Sequence, residues 1–122
     1  MESTSRLWTR RVLTGLVGFG MVASGILKFV RPPPLVENFE RYHLLDKLPL
    51  IAVIELVCAA LFLIPKTSSL GVLLVTGYFG GAVVAHLVAN DPVGLVPVAV
   101  LGLSAWAVAW LRYPELFASF RR

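Results

Sequence analysis

The 122-residue chain predicts an all-α membrane protein: a four-transmembrane-helix bundle with a short amphipathic helix between the first and second spans. Composition is the first ground, because 57% hydrophobic and 15% charged residues leave too little polar surface to coat a soluble globule of this size. The second is length. Apolar runs at Val12–Val30, Leu48–Ile64, Leu70–Ala89 and Val93–Leu111 each hold about 17 to 20 residues, enough to cross a hydrocarbon core as a helix. The third is the solvent itself: lipid cannot satisfy backbone N–H and C=O groups, which selects helices over open strands. Little chain remains outside these runs, so residues 1–122 are expected to form one transmembrane domain.

The first span follows Arg6, Arg10 and Arg11 and carries Lys28 near its far end. Arg10-Arg11 loosely resembles a twin-arginine signal, and Ala23-Ser24-Gly25 resembles a cleavage site. Three more spans follow, so an uncleaved helix is expected. After Arg31, Pro32-Pro33-Pro34 predicts a stiff stretch that ends this helix. Leu35, Val36, Phe39, Tyr42 and His43 then recur at helical spacing, with Glu37, Glu40 and Arg41 between them. That pattern fits a short helix lying on the outer face as a lid, or an irregular loop.

The second span carries Glu55 and the lone cysteine, Cys58, which reads as an apolar packing residue. Pro65-Lys66-Thr67-Ser68-Ser69 predicts a tight turn in which proline stops one helix and a serine caps the next. The third span carries Tyr78 and His86. Its Gly77 and Gly81 project away from His86 at about 100° per residue, giving a packing or oligomer face that meets another span or a second copy. Asp91 is expected to cap the fourth span, with Pro92 at its first position, and Pro97 is expected to kink it.

The formal charge of +4 does not point to nucleic acid, because the basic residues sit at span ends rather than in a patch interleaved with aromatics. Arg6, Arg10, Arg11, Lys66, Arg112, Arg121 and Arg122 instead bias both termini to the cytoplasm, with Trp8, Trp106, Trp110 and Tyr113 near the inner interface. Arg31, Arg41 and Lys47 in the first connection work against that bias, offset by Glu37, Glu40 and Asp46.

Glu55 to Thr67, Leu70-Gly71, Thr76 to Ala82 with His86, Ser24 to Phe29, Asp91-Pro92 and Arg112-Tyr113-Pro114 together resemble the DoxX-like family of small four-helix membrane proteins. The resemblance implies a four-helix bundle in a bacterial inner membrane. The wider DoxX group is named for association with thiosulfate:quinone oxidoreductase and with redox-stress complexes. Most DoxX-like members have no established activity, so the resemblance carries fold further than function.

Ionisable residues inside a membrane mark functional sites by default. Counting 1.5 Å per residue places Lys28 roughly 3 Å, His86 about 5 Å and Glu55 roughly 10 Å inside the outer boundary. Two readings follow. One is a polar pocket opening outward, lined by Glu55, His86, Lys28 and Tyr78, with Glu55 and His86 as the leading pair. The other is a Lys28–Glu55 ion pair that fixes helix register, with His86 merely interfacial. The expected seam joins a stripe of the first helix (Thr14, Gly18, Met21, Ser24, Gly25, Lys28) to one of the second (Ala52, Glu55, Cys58, Ala59, Phe62).

One intramembrane histidine argues against haem, and Cys58 with Glu55 is no zinc set, so no metal is expected. There is no phosphate-binding glycine loop and no nucleophile elbow. No cofactor is evident, but a quinone suits the chemistry: its carbonyls need donors and its ring and tail suit an apolar groove. Three functions remain open: a quinone-linked or redox-associated subunit, a non-enzymatic assembly partner or chaperone of a membrane complex, and a small proton-coupled transporter. Whether the chain is an enzyme, and whether it forms a homo-oligomer, the residues leave undecided.

Overall fold

The computed structural model describes residues 3–121; Arg122, one of the basic residues that bias the termini, lies outside them. The described residues are helical nearly throughout. Helix α1 spans Thr4–Val30, α2 Pro33–Arg41, α3 Leu48–Leu63, α4 Ser68–Val88 and α5 Pro92–Arg112, with 3₁₀ segments at Leu45–Lys47, Pro65–Thr67 and Pro114–Arg121. Three segments are long and apolar enough to cross a membrane by length and composition: Thr4–Val30, Pro65–Val88 and Pro92–Arg112. Their outward faces expose Phe19, Leu73, Val93 and Leu103, a greasy surface that a soluble monomer does not carry. The protein is a membrane protein.

Each helix end has a local cause. The Ser3 hydroxyl accepts from the Arg6 N–H and starts α1 well before the apolar run, so Arg6, Arg10 and Arg11 lie on the helix. Arg31 closes α1 in the left-handed conformation, its N–H bonded to the Leu27 carbonyl. The prolines that follow do not form an extended spacer: Pro33 and Pro34 occupy the first turn of α2, where a missing N–H costs nothing. That helix stops at Arg41, so Tyr42 and His43 fall in the turn beyond it, and His43 takes a positive φ of 59°.

The turn into α4 also departs from expectation. No side chain caps α4; Ser68 instead bonds the Pro65 carbonyl and the Tyr113 hydroxyl, while Thr67 donates to the Leu61 carbonyl at 2.9 Å. Asp91 caps α5 as its sequence predicts, accepting from the Gly94 N–H at 3.0 Å, with Pro92 in the first turn. Helix α5 runs through Pro97 to Arg112.

The four long helices pack in a ring in which α1 meets α3 and α5, and α4 meets α3 and α5. The α1–α3 seam is the most extensive, and it buries Gly18, Met21, Gly25 and Lys28 against Ala52, Glu55, Cys58, Ala59 and Phe62. At Gly71 the α4 backbone comes so close to the backbone of Leu61 and Phe62 that no side chain fits. The core runs through Val17, Met21, Phe62, Val75 and Val108, all fully buried. On α5 the buried residues are Ala105, Val108 and Ala109, so its first half contributes none.

Candidate functional site

Lys28 ends the buried stripe of α1 and Glu55 lies midway along α3, so the α1–α3 seam brings them together. Lys28 Nζ donates to Glu55 Oε1 at 2.5 Å and to Ser24 Oγ, one turn back on its own helix, at 2.8 Å. Lys28 is 5% exposed and Glu55 3%, so the pair is sealed from outside. A charge buried this deeply needs a partner, and each supplies the other's. The difference in nominal depth closes because the lysine stem reaches inward instead of snorkelling out.

Two aromatic residues bound the pair. The Phe39 ring, on α2, has its centroid 5.7 Å from Lys28 Nζ, within cation–π range. Helix α2 therefore roofs the ion pair. Tyr78, on α4, has its hydroxyl close enough to interact with the Glu55 carboxylate. Three of the residues singled out by the sequence thus converge: Lys28, Glu55 and Tyr78.

His86 belongs to a neighbouring cluster, and none of its described contacts is with Glu55. Its ring lies 5.1 Å from that of Tyr42, which in turn packs edge-on against Phe39 at 5.3 Å. The Tyr42 hydroxyl donates to Asp91 Oδ2 at 3.2 Å, and Arg41 stands 4.0 Å from the same oxygen. His86 Nδ1 bonds the Ala82 carbonyl at 2.7 Å, so Nδ1 carries the proton and Nε2 is left to face outward from its own helix. Gly94 sits against both the imidazole and the Asp91 carboxylate, where a Cβ would collide with them.

Electrostatics bind this cluster together. The Gly94 N–H, with further help from Tyr42, His86 and Arg41, holds the Asp91 carboxyl below the usual carboxylate range. Partial burial and the adjacent Asp91 charge push the Tyr42 phenol up. Glu55 and His86, the leading pair of the sequence reading, thus stand in adjacent clusters rather than in direct contact among the described interactions. Helix α4 carries the two groups to different neighbours: Tyr78 faces the α1–α3 seam, while His86, two turns on, faces the α2 and α5 ends. Tyr42 and Asp91 were seen in the sequence only as a helical-pattern residue and a cap. Their link across 49 positions of sequence had no local signal.

Gly77, Gly80 and Gly81 have no neighbour within 4 Å of where a Cβ would stand. They pack on no other helix among the described residues; their face points out of the bundle.

No curated protein and no solved structure is significantly similar to this chain. The model of the DoxX-like family matches residues 12–108, which takes in α1 from Val12 through most of α5 and so both the ion pair and the histidine cluster. The chain is a member of the DoxX-like family.

Proposed function

We propose that this protein is a four-span, quinone-linked or redox-associated subunit of the bacterial inner membrane, with its working site under α2 in the outer half of the bilayer. The observation that carries this reading is the buried Lys28–Glu55 pair, connected through Phe39 and Tyr42 to His86 and Asp91 at the bundle end. The fourth span is α3. Its 16 residues give about 24 Å of helix, and 3₁₀ turns at both ends lengthen the rod. Arg6, Arg10 and Arg112 gather at the opposite end, which the positive-inside bias makes cytoplasmic, with both termini.

The donor and acceptor pattern suits a quinone and its reduced form. Lys28 Nζ is a donor for a carbonyl, and His86, whose Nδ1 is committed to the Ala82 carbonyl, keeps Nε2 to bond a hydroxyl of the ring. The first half of α5 has no fully buried side chain, and its exposed Val93 and Val96 offer an apolar surface for a ring and tail. Helix α2 acts as the lid. Titration of the purified protein with ubiquinone and menaquinone analogues, followed by difference spectroscopy, tests the proposal: saturable binding weakened by Glu55→Gln is expected. No saturable binding, with Glu55→Gln behaving as wild type, rejects it. Proton release on adding a substrate, lost in Glu55→Gln, would assign the pair to proton-coupled transport instead.

A second reading, an assembly partner or homo-oligomer, is favoured by the open Gly77–Gly81 face, since small residues let helices of different chains approach closely. Affinity isolation from native membranes that recovers the protein alone, at full abundance, counts against it.

A further inference from the structure

The end of the bundle opposite α2 holds a different kind of site. The first turns of α1 and the last turn of α5 border a shallow, open recess of about 410 Å³ lined by Arg6, Arg10, Arg112, Ser68 and Tyr113. That volume lies in the range of small-ligand sites, ~300–1,000 Å³. Among the described residues, no carboxylate lines it. Arg6 and Arg112 make no side-chain ion pair or hydrogen bond among the described residues; Arg10, which has an interaction of its own, adds charge. The Ser68 and Tyr113 hydroxyls bond each other and so fix the floor of the hollow rather than serve as free donors.

Tyr113 is also shared with a second hollow, about 340 Å³, lined by Leu70, Leu73 and Leu116 together with Ser69 and Glu115. Its wall is mainly apolar, and it lies along the outward face of α4, where Leu70 and Leu73 are exposed. A cationic recess beside an apolar one matches a molecule with a phosphate at one end and a hydrocarbon chain at the other. Guanidinium groups bind phosphate through paired N–H···O bonds, and basic recesses between membrane helices suit anionic headgroups. Glu115 borders the apolar hollow and not the cationic one, so it does not oppose the phosphate directly.

We propose that this is a binding site for an anionic phospholipid, whose phosphate sits between Arg6 and Arg112 and whose acyl chain lies over Leu70 and Leu73. The inference is independent of the quinone reading, which concerns the other end of the molecule.

The test is native mass spectrometry of the full chain in neutral detergent, titrated separately with phosphatidylglycerol, phosphatidylcholine and inorganic phosphate. Phosphatidylglycerol is expected to be retained preferentially. Arg6→Gln with Arg112→Gln should weaken it about fivefold for each arginine, or roughly 25-fold together, and Arg112→Gln alone by the single factor. Arg6 is exposed and Arg112 half-buried, and an unchanged melting curve verifies the fold. Leu73→Gln should weaken long-chain but not short-chain phosphatidylglycerol. Equal retention of the two lipids, or full retention of phosphatidylglycerol by the arginine variants, overturns the proposal. So does inorganic phosphate displacing the lipid and binding Leu73→Gln as it binds wild type, which would mark a free-phosphate site.

Discussion

The two ends of the bundle treat charge in opposite ways. Under α2, Lys28 is matched by Glu55 and Asp91 is faced by Tyr42, His86 and Arg41. At the terminal end, Arg6, Arg10 and Arg112 share a recess that no carboxylate lines among the described residues. Burial explains the difference. A charge sealed within the seam must bring its own counter-charge, whereas one at the rim is solvated and tolerates a recess without one, as Arg6 and Arg112 do among the described residues. The sealed end is therefore built for internal chemistry or rigidity, and the open end for recognition.

Breaking the sealed pair should produce the largest effect. Lys28→Met leaves the Glu55 carboxylate buried and unmatched, a loss expected to cost about 3–5 kcal/mol. Glu55→Leu strands the ammonium in the same way. The double variant removes both charges and should recover most of that loss, ending within a few kcal/mol of wild type or above it. Thermal or denaturant unfolding of all four proteins closes the cycle. Losses in the double variant equal to the sum of the two single ones would show that the pair is not coupled, and the contrast between the ends would fail.

A smaller effect separates the two glycine faces of α4. Gly71→Ala drives a Cβ into the α3 backbone and is expected to destabilise by about 1–3 kcal/mol. Gly81→Ala meets empty space and replaces a poor helix former, so an isolated chain should gain up to about 1 kcal/mol. Melting curves in detergent and in native membranes check both. If Gly81→Ala is stabilising in detergent but impairs recovery of a partner or a second copy from membranes, the open face is an interface; if it is neutral or better in both settings, that face meets only lipid.

The α1–α3 seam was readable from sequence because helical periodicity places Met21, Gly25 and Lys28 on one stripe and Ala52, Glu55 and Cys58 on another, and only one pairing buries both charges. The turns were harder to read. Pro32-Pro33-Pro34 has the composition of an extended spacer, yet two of those prolines begin a helix, since a proline in the first turn is as acceptable as one outside it. Counting residues along the helix gave His86 a nominal depth but not its neighbours, Tyr42 and Gly94. Depth follows from counting residues, whereas its neighbours depend on where the turn after α2 delivers Tyr42, and that turn rests on positive-φ backbone at His43 that no local pattern announces. The basic hollow went unseen for a related reason: Arg6 and Arg112 are about a hundred positions apart and meet only once the ring closes.

The smallest effect concerns pH at the Tyr42–Asp91 link. The folded-state pKa of Asp91 is lowered, first by the Gly94 N–H and then by Tyr42, His86 and Arg41, so its contribution to stability is present above the unfolded value of 3.8. It is lost as pH falls through the lower, folded value. Tyr42 shifts the other way: its pKa is raised above 10.0, so its contribution is complete below that value and disappears as pH climbs through the folded one. The link should therefore be intact from mildly acidic to mildly alkaline pH and fail at both extremes. Asp91→Asn keeps an acceptor for the Gly94 N–H but removes the charge, and should flatten the acid limb of a melting-temperature profile by lowering its neutral plateau towards the acid level. Tyr42→Phe should lower that plateau slightly and remove the alkaline limb. If both variants trace the wild-type profile, the Tyr42–Asp91 contact does not hold α2 over the ion pair, and the lid must be secured by Phe39 on Lys28 alone.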